Sequence, residues 1–187
     1  MKLKRLFWAS IPFFFLISCS SNNGLIPGQQ SAIQKNIYSE YMRIADEYFN
    51  LKKFDKALIY YKECLSFSEY HKAATYKLGK TYVMQKNYKE AIPLFKELLL
   101  DDSNNQSLIE SLAYCYAMSS EKDKAEELYL NLINDYGNQS SYYENLIILY
   151  IQDKKKEQSE NLLTQLKEKF PDCSNIQKLE NEIDKLE

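Results

Sequence analysis

Little in this chain could carry out chemistry. It has one histidine, His71, in 187 residues. CxxC, HExxH and GxSxG motifs are all missing, and the four glycines form no phosphate-binding loop. That argues against hydrolytic, redox and nucleotide-dependent enzymes. Arginine occurs only as Arg5 and Arg43, and the formal net charge is −2. The densest basic run is Lys154-Lys155-Lys156, which reads as a solvated turn, so nucleic acid is not expected as a partner. The longest apolar run, Leu6 to Ile17, has 12 residues, against roughly 20 for a membrane-spanning helix. Four cysteines, Cys19, Cys64, Cys115 and Cys173, are scattered and do not suggest a disulfide framework. Carboxylates are plentiful but fall on solvent faces. Asp101-Asp102 reads as a loop rather than a metal site, and no cofactor is expected.

What is present is a period. Ala57, Ala91 and Ala125 are 34 residues apart, and Ser159 continues the series. Ile44, Leu78, Leu112 and Leu146 keep the same step, as do Tyr48, Tyr82, Tyr116 and Tyr150, and Tyr61, Phe95, Tyr129 and Leu163. Self-similarity at a fixed period signals a repeat array, whose function lies in the surface that its stacked units present.

Each unit holds two amphipathic stretches. Tyr41, Ile44, Ala45 and Tyr48 share one helical face, and Ala57, Tyr61 and Cys64 share another. Leu51-Lys52-Lys53 is a short polar connection, which forces the two helices antiparallel. Neither helix can hide its stripe alone, so neighbouring units must stack.

The pattern resembles the tetratricopeptide repeat. That resemblance places unit one at 38–71, unit two at 72–105, unit three at 106–139 and unit four at 140–173. It implies an all-α superhelix of four helical hairpins. Unit four departs from it at Ile147, where Ala45, Gly79 and Ala113 stand in the others, and at Ser159. Both changes predict slightly more open packing. Pro93, early in the second helix of unit two, predicts a bend. His71 falls at the turn between units one and two and reads as a surface loop residue. Residues 174–187 read as a capping helix, with Ser174 as its cap and Ile176, Leu179, Ile183 and Leu186 on one face. Cys64, Cys115 and Cys173 read as buried or partly buried free thiols.

The first residues differ in character. A basic start (Lys2, Lys4, Arg5), the short apolar run and a small residue before a cut mark a signal peptide over residues 1–18. Leu16-Ile17-Ser18-Cys19 resembles a bacterial lipobox, which implies lipid on Cys19 and cleavage after Ser18. Several acyl chains on one residue anchor stably. Residues 19–36 read as the lipidated cysteine and a flexible tether, although helix could begin at Ser31. Ser20, rather than Asp, favours the outer membrane by the same resemblance. Removing Lys2, Lys4 and Arg5 leaves 21 basic side chains against 26 acidic, a net charge near −5.

In proteins of the resembled family the first helices line a concave groove that holds a partner's peptide or helix. The corresponding residues here are Met42, Arg43, Asp46 and Phe49 from unit one, and Tyr76, Lys77, Lys80 and Val83 from unit two. Unit three gives Glu110, Tyr114, Ala117 and Met118, and unit four gives Glu144, Ile148 and Ile151. Tyr76 and Tyr114 are expected to form one aromatic patch. The competing expectation is that the C-terminal helix or the tether fills the groove. The family's clamp for acidic C-terminal tails is missing, because its positions hold Met42, Asp46, Lys77, Ser107 and Ser111. The resulting expectation is a lipid-anchored, non-enzymatic scaffold in a bacterial envelope, by analogy with repeat lipoproteins of outer-membrane protein or pilus secretin assembly. The alternatives are an adaptor for peptidoglycan enzymes and, from another class, an envelope enzyme.

Overall fold

The computed structural model describes residues 28–186. The expected signal peptide, Cys19 and most of the expected tether therefore lie outside the described residues. Among those described, nine helices follow one another, α1 Gln29–Asn50, α2 Phe54–Cys64, α3 Ser68–Met84, α4 Tyr88–Asp101, α5 Gln106–Met118, α6 Lys122–Asp135, α7 Ser140–Gln152, α8 Lys156–Lys169 and α9 Ile176–Ile183. Each packs on its neighbours in sequence, and α9 closes the far end against α7 and α8. The fold is an all-α solenoid of four hairpins with a terminal cap.

The periodic residues are what the helices share. Ala57, Ala91, Ala125 and Ser159 are fully buried, as are Ala45 and Ala113. Gly79 leaves no room for a side chain, since a Cβ there would stand 2.9 Å from the ring of Phe95. The core falls into two clusters. One joins Ala45, Ala57, Tyr61, Cys64 and Leu78. The other runs from Ala91 and Phe95 to Ile183.

The turns inside the hairpins repeat as faithfully as the core. Lys52, Lys86, Ser120 and Lys154 have φ of 56°, 62°, 68° and 57°, and they too are spaced by 34 residues. Each follows its first helix as the left-handed residue of a Schellman motif. The next N–H reaches back to the carbonyl of the periodic tyrosine: Lys53 to Tyr48 at 2.8 Å, Asn87 to Tyr82 at 2.9 Å, Glu121 to Tyr116 at 3.0 Å and Lys155 to Tyr150 at 2.9 Å. Orphan carbonyls at the helix ends are satisfied in this way. The left-handed conformation costs a residue with a Cβ roughly 1–2 kcal/mol, and none of the four is glycine.

Several expectations need correction. α1 starts at Gln29, so residues 29–36 are helix rather than tether. Unit four does not pack openly, since Ile147 and Ser159 are both fully buried, and the Ser159 hydroxyl donates to the Lys155 carbonyl at 2.9 Å. α4 runs unbroken through Pro93, whose ring is exposed. Asn175 rather than Ser174 precedes α9, and its side chain does not cap that helix but donates to Glu144 at 2.5 Å. His71 is no loop residue. It lies in the first turn of α3, with Nδ1 2.9 Å from the Leu65 carbonyl and Nε2 2.8 Å from Glu97 of α4. One ring thus ties the end of α2 to the second unit.

Candidate partner-binding groove

The first helices of successive units share recesses. The first recess, of about 310 Å³, is lined by Asp46, Phe49 and Asn50 of α1, Tyr61 of α2 and Tyr76, Lys77 and Lys80 of α3. A second, of about 250 Å³, is lined from α3 by Lys80, Val83 and Met84, with Glu110, Ser111 and Tyr114 of α5 and Asn145 of α7 around it. Phe95 forms its floor. Lys80 stands between the two and belongs to both. Tyr76 and Tyr114 therefore line neighbouring recesses divided by a lysine.

The polar groups of the first recess are already engaged. Asp46 accepts from the Tyr61 hydroxyl at 2.5 Å and from Lys77 at 2.6 Å. Burial, followed by the neighbouring Asp46 carboxylate, pushes the Tyr61 hydroxyl far above its ordinary pKa, so it stays a donor. Lys80 is exposed and has no ion pair among the described residues, and its ammonium lies 5.6 Å from the centre of the Tyr76 ring. Tyr76 packs edge-on to Phe95 at 6.4 Å, and Tyr114 to Tyr88 at 6.0 Å.

The remaining groove positions differ among themselves. Met42 is only 9% exposed and sits in the core of unit one. Arg43 is exposed and lies between Glu40 and Glu47. Phe49 is half-buried against Phe54, with ring centres 5.6 Å apart. Val83 and Ile151 are half-buried. Glu110 is half-buried and accepts from Asn145 at 3.4 Å. Tyr114, Met118 and Ile148 are exposed, Tyr114 at 37%. Glu144 is engaged by the segment before α9, accepting from Asn175 and, at 3.3 Å, from the Cys173 thiol. Burial pushes its carboxyl up, but the donors Asn175, Ser140 and Cys173 outweigh that and hold it below the ordinary value. Met84, Ser111 and Asn145 join the groove lining. They occupy unit positions thirteen and six, the same positions as Met118, Arg43 and Lys77 in their units, so the spacing carried that signal.

The expectation that the C-terminal helix fills the groove is not met. α9 packs on α7 and α8, whereas both recesses beside Lys80 lie chiefly on α1, α3 and α5. Among the described residues, no group of three or more His, Cys, Asp or Glu side chains could hold a metal ion. None of the described helices is long and apolar enough to cross a membrane.

Residues 82–147 match the tetratricopeptide repeat family. The hairpin geometry and that match agree. The fold is a tetratricopeptide-repeat solenoid. No curated protein matches the chain in sequence. Among solved structures it is similar to MamA, from residue 41 to its end, of Desulfovibrio magneticus RS-1. That alignment has 16% identity and a TM-score of 0.68, over 78% of this chain and 82% of that one. A tetratricopeptide repeat protein from Parabacteroides merdae ATCC 43184 aligns at 18% identity and a TM-score of 0.68, over 80% of this chain and 59% of that one. A further MamA structure aligns at 21% identity and a TM-score of 0.64, over 80% and 87%. These likenesses establish the architecture and leave the partner to the surface chemistry.

Proposed function

We propose that this chain is a non-catalytic scaffold that docks other proteins in the groove of its tetratricopeptide-repeat array. We further propose that it is held to a bacterial envelope membrane by lipid on Cys19. The observation that carries the docking role is the pair of recesses sharing Lys80. A cation with no ion pair among the described residues stands between the half-buried Tyr76 and the exposed Tyr114. Large aromatics at the rim of a preformed recess are the usual anchors of protein interfaces. The anchoring role is carried by the Leu-Ile-Ser-Cys ending of the short apolar run. An outer-membrane location, and service in outer-membrane protein or secretin assembly, are the finer parts of this reading.

Chemical crosslinking of the full-length protein in cells, followed by affinity capture, tests the docking role. Tyr114→Ala combined with Lys80→Glu is expected to abolish capture and leave helicity and the melting midpoint nearly unchanged. Capture that survives both changes overturns the groove as the working surface. Cys19→Ser is expected to leave an unprocessed precursor without labelled fatty acid, and normal labelling of that variant overturns the anchor.

A further inference from the structure

The two ends of the array are finished differently. In units two to four the leucine at position seven is covered by the preceding hairpin, and Leu78, Leu112 and Leu146 are 2%, 6% and 0% exposed. Its counterpart in unit one, Ile44, is only half-buried. Ile44 belongs to a stripe along α1 made of Ile33, Ile37, Tyr41, Ile44, Tyr48 and Leu51, which are spaced four, four, three, four and three. That spacing keeps all six on one side of the helix. Ile33 and Ile37 are 44% and 43% exposed, and Leu51 more so. Tyr60 of α2 widens the stripe into a face, with its ring 5.8 Å from that of Tyr41 and 5.7 Å from that of Tyr48. At the other end α9 turns Leu179 and Ile183 inward and leaves Lys178, Asp184 and Lys185 outside.

We infer that this open face at the first unit pairs with the same face of a second copy of the chain. Head-to-tail stacking is disfavoured, because it would set the apolar face against the charged outer side of α9. A closed two-fold contact sets apolar surface on apolar surface. The edges choose the axis. The exposed Glu40 and Glu47 border the stripe on one side, both paired with Arg43, so that edge keeps one net negative charge. On the other side α2 carries Lys56, whose ammonium lies 5.3 Å from the centre of the Tyr48 ring. A two-fold running along α1 puts the acidic edge of each copy against the basic edge of the other, whereas a two-fold across α1 would oppose acid to acid. The favoured axis makes the two α1 helices parallel, so both N-termini leave on the same side. Two chains anchored at Cys19 need that arrangement, but the pairing stands without the anchor.

The test places a photo-crosslinking p-benzoylphenylalanine at Ile37 of the full-length chain, in cells that express two differently tagged copies. Irradiation is expected to join the two tags through α1. The same probe at Lys178 is expected to join none. Lys56→Glu should lower the yield several-fold, and adding Glu40→Lys and Glu47→Lys should restore it. The inference is overturned if the Ile37 probe joins only lipid, only residues 20–27 of its own chain, only a different protein, or nothing. Loss in Lys56→Glu without restoration overturns the proposed axis. Because the readout is chain-to-chain joining, it is separate from partner capture in the groove and from lipid labelling.

Discussion

The Tyr61 hydroxyl donates to the Asp46 carboxylate at 2.5 Å, joining the second helix of unit one to the groove side of the first. Lys77 of unit two donates to the same oxygen. A position that the repeat frame assigns to partner contact is thus also a joint between units. Asp46→Ala is expected to cost about 1–2 kcal/mol, discounted for partial exposure, and Tyr61→Phe about 0.5–1.5 kcal/mol. Urea unfolding with both single variants and the double variant measures them. Additive losses would show that the two groups do not act on each other.

The left-handed turn residues can be improved. Lys52→Gly, Lys86→Gly and Lys154→Gly should each raise stability by about 0.5–1 kcal/mol, because each relieves a positive φ at an exposed side chain. Lys154→Val should lower stability, because a β-branched side chain tolerates that conformation worst. Melting midpoints of the four variants decide the matter. If glycine leaves all three positions unchanged, the turns are not under strain.

His71 gives a pH dependence. Its pKa is raised, first by the hydrogen bond to the Leu65 carbonyl and then by Glu97. The protonated ring donates from both nitrogens, which a neutral ring cannot do. The contribution is therefore fully present below the ordinary histidine value and is lost as pH rises through the raised one. Wild type should exceed His71→Gln in stability by more at pH 5.5 than at pH 8. An equal difference at both pH values would mean that the ring acts by packing alone.

The three thiols should separate by reactivity. Burial pushes Cys64 up to about 11 and Cys115 up to about 12, and both side chains are fully enclosed. Cys173 is partly exposed. A thiol reagent at pH 8 should modify Cys173 in the native protein, and Cys64 and Cys115 only after denaturation. Rapid native labelling of Cys115 would indicate that unit three opens far more readily than its packing implies.

The repeat frame was legible because its residues do one job four times. Ala57, Ala91, Ala125 and Ser159 all sit where helices touch, so the period carries their burial directly. The groove positions were legible as places on the first helices but not as free or engaged groups. Whether Asp46 meets Lys77, or Glu144 meets Asn175, depends on the stagger between units, which no single-chain period encodes. The turn conformation was hidden for another reason. Its usual glycine is replaced by Lys52, Lys86, Ser120 and Lys154, so the residue type gave no sign of the positive φ. His71 was misplaced because its partners, Leu65 and Glu97, come from two different helices. The helix over residues 29–36 was masked by polar residues, and Ile33 and Ile37 were the only periodic sign of it.

The two separate core clusters bear on how the molecule carries load. One cluster carries the apolar packing of unit one across into α3 of unit two through Ala74 and Leu78, and the other begins at Ala91 and Phe95 on α4 of that same unit. The seam between them lies between α3 and α4, where His71 pairs with Glu97, Tyr76 packs edge-on to Phe95 and Leu94 reaches the first cluster. If the proposed anchor lies ahead of α1 and a partner is held farther along, a pull on that partner crosses this seam. Ionic and hydrogen-bonded ties yield to salt and pH in a way that buried aromatics do not. The expected consequence is that tension loads α3 against α4 inside unit two before it reaches the continuous core that runs from Ala91 to Ile183.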